Sequence, residues 1–163
     1  MIGYNVPHVV GVAITSDLFR RLAEIPEFVT VKDSSGDLVQ QTDLIRSGLP
    51  VMNGADPLVP YSLLAGVSGL IWGGANFAPQ ACVAVVQAAE AGDWAHMREL
   101  WTVLEPAMNL IWQGDYAQSV YAAAEMTGYG AGNPRRPFSP LSNRKREMLR
   151  AALSTLIETE GHL

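Results

Sequence analysis

The strongest constraint on this chain is its rhythm. Over the first 92 residues it alternates four times between a short strand-like run and a longer segment with helical spacing. The runs are GYNVP, FVTVK, LPVMNGAD and GVSGLIWGGAN. The segments that follow them are TSDLFRRLAEIP, DLVQQTDLIRSG, PLVPYSLLAG and APQACVAVVQAAEAGD. In the first of these, Leu18, Phe19, Leu22 and Ile25 recur at helical intervals, and Thr15, Ser16 or Asp17 can cap the start. Pro57 stands near the first turn of the third segment, and Gly48 and Gly92 stand where the second and fourth would stop. Strand–helix units in series predict an α/β fold: a parallel sheet joined by right-handed helical crossovers.

Beyond residue 92 the rhythm changes. WAHMRELWTVLEPAMNLIWQG, YAQSVYAAAEMTG and SNRKREMLRAALSTLIETE all read as helices, with the Gly/Pro-rich loop YGAGNPRRPFSP between the last two. The expected organisation is therefore an α/β part over 1–92 and a helical extension over 93–163. A length of 163 residues, 48% apolar and 17% charged, is enough for a real core. The net charge of −5 and the shortness of the basic runs NPRRP and NRKRE argue against a nucleic-acid partner. Trp94, Trp101 and Trp112 on the late helices suit packing, in a core or at an oligomer interface. Cys82 is the single cysteine, so no internal disulfide can form, and its apolar helical setting reads as a small buried residue. No secretory leader pattern and no run long enough for a membrane span is present, so a soluble cytoplasmic protein is expected. His8, His96 and His162 lack metal-ligand spacing, and no metal site is expected.

Functional groups in parallel α/β proteins gather at the C-terminal ends of the strands. Four such tails can be read: Tyr4-Asn5, Lys32-Asp33-Ser34-Ser35, Asn53-Gly54-Ala55-Asp56 and Gly73-Gly74-Ala75-Asn76. Lys32 is one of two lysines in the chain, with Lys145. A lysine ending an apolar strand reaches water, pairs with a carboxylate such as Asp33 or Asp56, or loses its charge. A neutral amine attacks carbonyl carbon, which is the chemistry of Schiff-base lysines. If the preceding strand is its neighbour, the two backbones run about 4.8 Å apart. The Tyr4 hydroxyl can then exchange protons with a group bound to the lysine. Tyr4 also suits a plain amphipathic place at a rim. From position alone, the plain readings of both residues lead. WGGAN matches neither dinucleotide nor P-loop spacing and reads as close backbone approach. DSSGD lacks the spacing of a calcium loop and reads as a turn with a helix cap.

Taken in order, YNVP, VKDSSGD, NGAD and AGVSGLIWGGAN, followed by RRPFSPLS before the last helix, resemble the dihydrodipicolinate synthase/N-acetylneuraminate lyase family. The resemblance runs over essentially the whole chain. It implies the C-terminal half of a (β/α)₈ barrel, strands five to eight, followed by a helical region. It also implies a class I aldolase or lyase that makes or breaks a C–C bond of a pyruvate-type 2-oxo acid, with an aldehyde as second component. By the same resemblance Lys32 forms the Schiff base, Tyr4 relays the proton, and Gly54, Asp56, Ile71 and Gly73 line the substrate pocket. No cofactor is implied beyond the covalent imine on the lysine.

Two departures stand out. The family's first four strands, with the threonine-rich loop that holds the substrate carboxylate and a second relay tyrosine, have no counterpart here. Four strands leave two parallel edges. The chain is therefore expected to be a fragment, a truncated frame, or a piece that pairs with a complementary N-terminal half or with its own copy as a homo-oligomer. The other departure is Val9, at the position where the synthases carry an arginine for the second substrate. With KDSSGD and NGAD, this leans towards the sugar-acid lyases; His8 beside it is a possible substrate contact or a loop residue without a role. The rival readings are an inactive half-barrel and a small α/β module that binds an anion.

Overall fold

Each of the four expected strands forms, and each pairs in parallel with the next. The computed structural model describes residues 1–160; His162 lies outside them. The strands are β1 (Ile2–Asn5), β2 (Thr30–Asp33), β3 (Val51–Asn53) and β4 (Gly69–Leu70), in the spatial order β1-β2-β3-β4. The chain divides into two compact units, one of them Met1–Trp72 and the other beginning at Gly73.

The first unit holds the sheet and its crossovers. A single helical turn, α1 (Pro7–Val10), follows β1 in a stretch that reads as loop in the sequence, and Gly11 ends it at φ 76°. Next comes α2 (Ser16–Leu22), whose Leu18 N–H donates to Thr15 Oγ1. Asp37 caps α3 (Leu38–Ile45) by accepting from Gln40 N–H at 3.0 Å. This helix ends at Ile45, ahead of the expected stop at Gly48. A 3-10 turn over Asp56–Leu58 leads into α4 (Val59–Ala65). Between sheet and helices lies a core of Phe19, Phe28, Val31, Leu44 and Val51, with Ile14, Leu22 and Val67 packed against it. Phe19 and Phe28 meet edge to face at 6.0 Å. Gly3 makes this possible, because a Cβ there would lie 2.8 Å from Phe28 Cζ.

The glycine-rich fourth run contributes only two residues to the sheet. Ile71 N–H still extends the ladder by donating to Asn53 C=O at 2.9 Å. From Gly73 the chain makes a 3-10 turn, Gly73–Asn76, and opens the second unit. There α5 (Pro79–Glu90) packs against α6 (Trp94–Trp112), and α7 (Tyr116–Met126) and α8 (Asn143–Ala152) complete the cluster. Gly92, at φ 73°, follows the end of α5 as expected. The expected last helix breaks at Leu153, which has φ −97° and ψ 1°, before α9 (Ser154–Glu160). Cys82 and Trp101 are buried, whereas Trp94 is 40% exposed. Among the described residues no helix is long and apolar enough to cross a membrane.

Candidate active site

Parallel pairing puts Tyr4 directly opposite Lys32, with Met52 next in the same row. Residues aligned in this way share one face of the sheet. Lys32 Nζ stands over the Tyr4 ring, 4.5 Å from its centroid. A cation over an aromatic face is held by the ring's quadrupole, an attraction of about 0.5–1 kcal/mol where water has access. Tyr4 is 52% exposed and Lys32 is half-buried, so the pair is not closed off from water.

Gly54 sits on the same face, one strand over, and is buried. A Cβ at Gly54 would run into Ser34 Oγ and Lys32 Cε, and would lie 3.0 Å from Lys32 Cγ. The space that any side chain would fill is occupied by the lysine's own stem. Gly54 is fixed by two neighbours in turn: its N–H donates to Asp33 C=O at 2.7 Å, and Ser34 Oγ donates to its carbonyl at 2.9 Å. Of the other expected site residues, Asp56 is fully buried at the start of its 3-10 turn and Ile71 is 40% exposed just past β4. Gly73 is buried at the opening of the second unit. His8 and Val9 lie exposed on α1. Among the described residues, no cluster of three metal-ligating side chains occurs.

Behind this face lies a buried polar row that the sequence alone does not reveal. Asn5, Asp33 and Asn53 end three adjacent strands, in register, and are 0%, 1% and 0% exposed. Asn5 Nδ2 donates to Asp33 Oδ1 at 2.7 Å. Gln41, on α3, donates from Nε2 to both Asp33 Oδ2 and Asn53 Oδ1, each at 3.2 Å. Ser35 adds its N–H at 3.3 Å and its hydroxyl at 3.1 Å to the Asp33 carboxyl. Asp33 is thus engaged with the helix side of the sheet and is not the partner of Lys32. Burial pushes its carboxyl above the ordinary carboxylate value, while the donors from Asn5, Ser35 and Gln41 pull it down. One sequence signal could have found it: Gln41 falls on the apolar stripe of Leu38, Leu44 and Ile45, where a polar residue needs a buried partner.

Comparisons with known proteins bear on the family and the fold. The family model described as the dihydrodipicolinate synthetase family matches residues 1–156. The 4-hydroxy-tetrahydrodipicolinate synthase of Thermomicrobium roseum is 35% identical, over 98% of this chain and 54% of that protein. Among solved structures, the chloride-inhibited dihydrodipicolinate synthase of Acinetobacter baumannii, complexed with pyruvate, is 34% identical with a TM-score of 0.84, over 94% of this chain and 54% of that one. A protein described as KD(P)GA from T. tenax is 29% identical with a TM-score of 0.80, over 98% and 56%. The chain spans about half the length of the curated relatives it matches. Its four parallel strands alternating with helices correspond to half of a (β/α)₈ barrel. On these grounds the chain belongs to the dihydrodipicolinate synthetase family.

Proposed function

We propose that this chain carries the Schiff-base part of a class I aldolase or synthase site acting on a pyruvate-type 2-oxo acid. The observation that carries the reading is Lys32 Nζ set 4.5 Å from the Tyr4 ring centroid at adjacent, in-register strand ends. The Lys32 amine attacks the 2-oxo carbon to give a carbinolamine, which loses water to form a protonated imine. That imine is the electron sink when a C–C bond forms or breaks, so the chemistry calls on no metal or organic cofactor. Tyr4 supplies a proton to the departing hydroxyl and recovers one from the carbon beside the imine as the enamine forms. Within the first unit, Gly54, Asp56 and Ile71 are assigned to the substrate side.

The pyruvate complex of the Acinetobacter neighbour supports the 2-oxo acid. The second component is an aldehyde. The curated relatives, named 4-hydroxy-tetrahydrodipicolinate synthases, support a synthase and give no support to the lean towards sugar acids that Val9 suggests. The rest of the pocket, including what holds the substrate carboxylate, is assigned to a complementary half or a second copy of the chain. The outer positions of β1 and β4 in the sheet support this.

Incubation with pyruvate and borohydride tests the reading by intact mass. The expected result is one reduced adduct on the chain and none on Lys32→Ala. A folded chain that gains no mass contradicts it and leaves the inactive half-barrel in its place.

A further inference from the structure

Lys32 and Asp33 are neighbours in sequence but face opposite sides of β2. What happens behind the sheet is nevertheless linked to the lysine by a short path. Gln41 is fully buried and spends its amide protons on Asp33 and Asn53, the last residues of β2 and β3. Asn53 then clasps the next peptide: its Nδ2 donates to Ala55 C=O at 3.0 Å and its Oδ1 accepts from Ala55 N–H at 3.1 Å. Gly54 lies inside that clasp, and its backbone is the surface against which the Lys32 stem packs.

Gln41 is an unusual choice for packing alone. Its Oε1 is buried with no hydrogen-bond partner. An unmet buried acceptor costs about 1–3 kcal/mol, and Leu or Met would continue the apolar stripe without that cost. Its orientation is nonetheless determined, because turning the amide over would set Oε1 against two acceptor oxygens. The residue suits the joining of two strand ends better than the filling of a core.

We infer that Gln41 is a positioning residue for Lys32, acting from the opposite face of the sheet: by bridging Asp33 and Asn53 it fixes the Gly54 backbone, and with it the lysine beside the Tyr4 ring. The inference deepens the Schiff-base reading and rests on it. It assigns a role to a side chain on α3 that touches neither the lysine nor the substrate.

The two lysines give the test an internal control. Reductive methylation with ¹³C-formaldehyde labels both, and the Lys32 methyl resonance, lying over an aromatic face, is expected upfield of that of Lys145. In Gln41→Met, a near-isostere without the amide, the Lys32 resonance should move towards that of Lys145, which stays put. Trapping of pyruvate at Lys32 should slow about tenfold, the scale of a small misplacement of a reacting group. An unmoved Lys32 resonance in a cooperatively melting variant overturns the proposal, and so does an equal movement of both lysines. A wild-type chain that traps no pyruvate counts against the Schiff-base reading, while the resonance still decides the positioning. If Gln41→Met does not fold, Asn53→Asp, which removes the donor to Ala55, is read in the same way.

Discussion

Two rows of side chains, one residue apart on the same strands, divide the work at the end of this sheet. The Tyr4–Lys32–Met52 row is partly open, and its notable contact is a cation over a ring. The Asn5–Asp33–Asn53 row is closed to water and tied by direct hydrogen bonds, three of them running from a side-chain amide to another side chain. A group that must attack a substrate has to keep some freedom and some exposure. A group that holds strands in register gains from burial, where an unmade hydrogen bond is costly. Because side chains alternate along a strand, a polar strand end can serve both needs without either set displacing the other.

The division can be broken at its crossing point. Gly54→Ala is the variant with the largest expected effect, since the new Cβ must displace Ser34 Oγ and the Lys32 stem together. Trapping at Lys32 should be abolished, with a loss of about 1–3 kcal/mol in stability from overpacking, read by trapping yield and by urea melts. A Gly54→Ala chain that traps at the normal rate contradicts the close fit.

Tyr4→Phe sharpens the open row. The ring remains for the lysine, so the Lys32 methyl resonance should stay upfield. Loss of the hydroxyl should slow imine formation about 100-fold, the lower end of what proton transfer contributes. An undiminished rate would place the proton relay elsewhere.

The smallest effect belongs to the closed row and is a matter of pH. Asp33 is an acid whose folded value is raised by burial. As pH falls, the folded chain therefore takes up this proton before the unfolded chain does. The burial cost is fully present above the folded value and is relieved as pH falls towards the ordinary 3.8. Relative to Asp33→Asn, the stability of the wild type should decline as pH rises through that window. A difference that is flat or rises with pH contradicts the assignment.

Much of this was legible in the sequence, for definite reasons. The strand–helix rhythm is written in the spacing of Phe19, Leu22 and Leu44 and in β-branched runs such as Val29–Val31, and these residues face the core or adjoin those that do. Tyr4 and Lys32 could be paired in advance because consecutive parallel strands are usually neighbours. The extent of β4 was not legible, since Gly and Ser in GVSGLIWGGAN satisfy a strand and a turn equally well. The closed row was hidden for another reason. Asn5, Asp33 and Asn53 read as ordinary strand-end polarity until register aligns them, and Gln41 reads as an isolated polar residue until α3 is laid on the sheet. Gly54 reads as a pocket wall; only in three dimensions does it become the place where the lysine stem lies.

The central claim is that Lys32, rather than any other amine, is the nucleophile, and the chain's two lysines make that claim directly measurable. Peptide mapping of the protein after reduction with pyruvate should find the adduct on the peptide carrying Lys32 and leave Lys145 and the amino terminus unmodified. An adduct shared between Lys32 and Lys145, or found only on Lys145 or the amino terminus, contradicts the account.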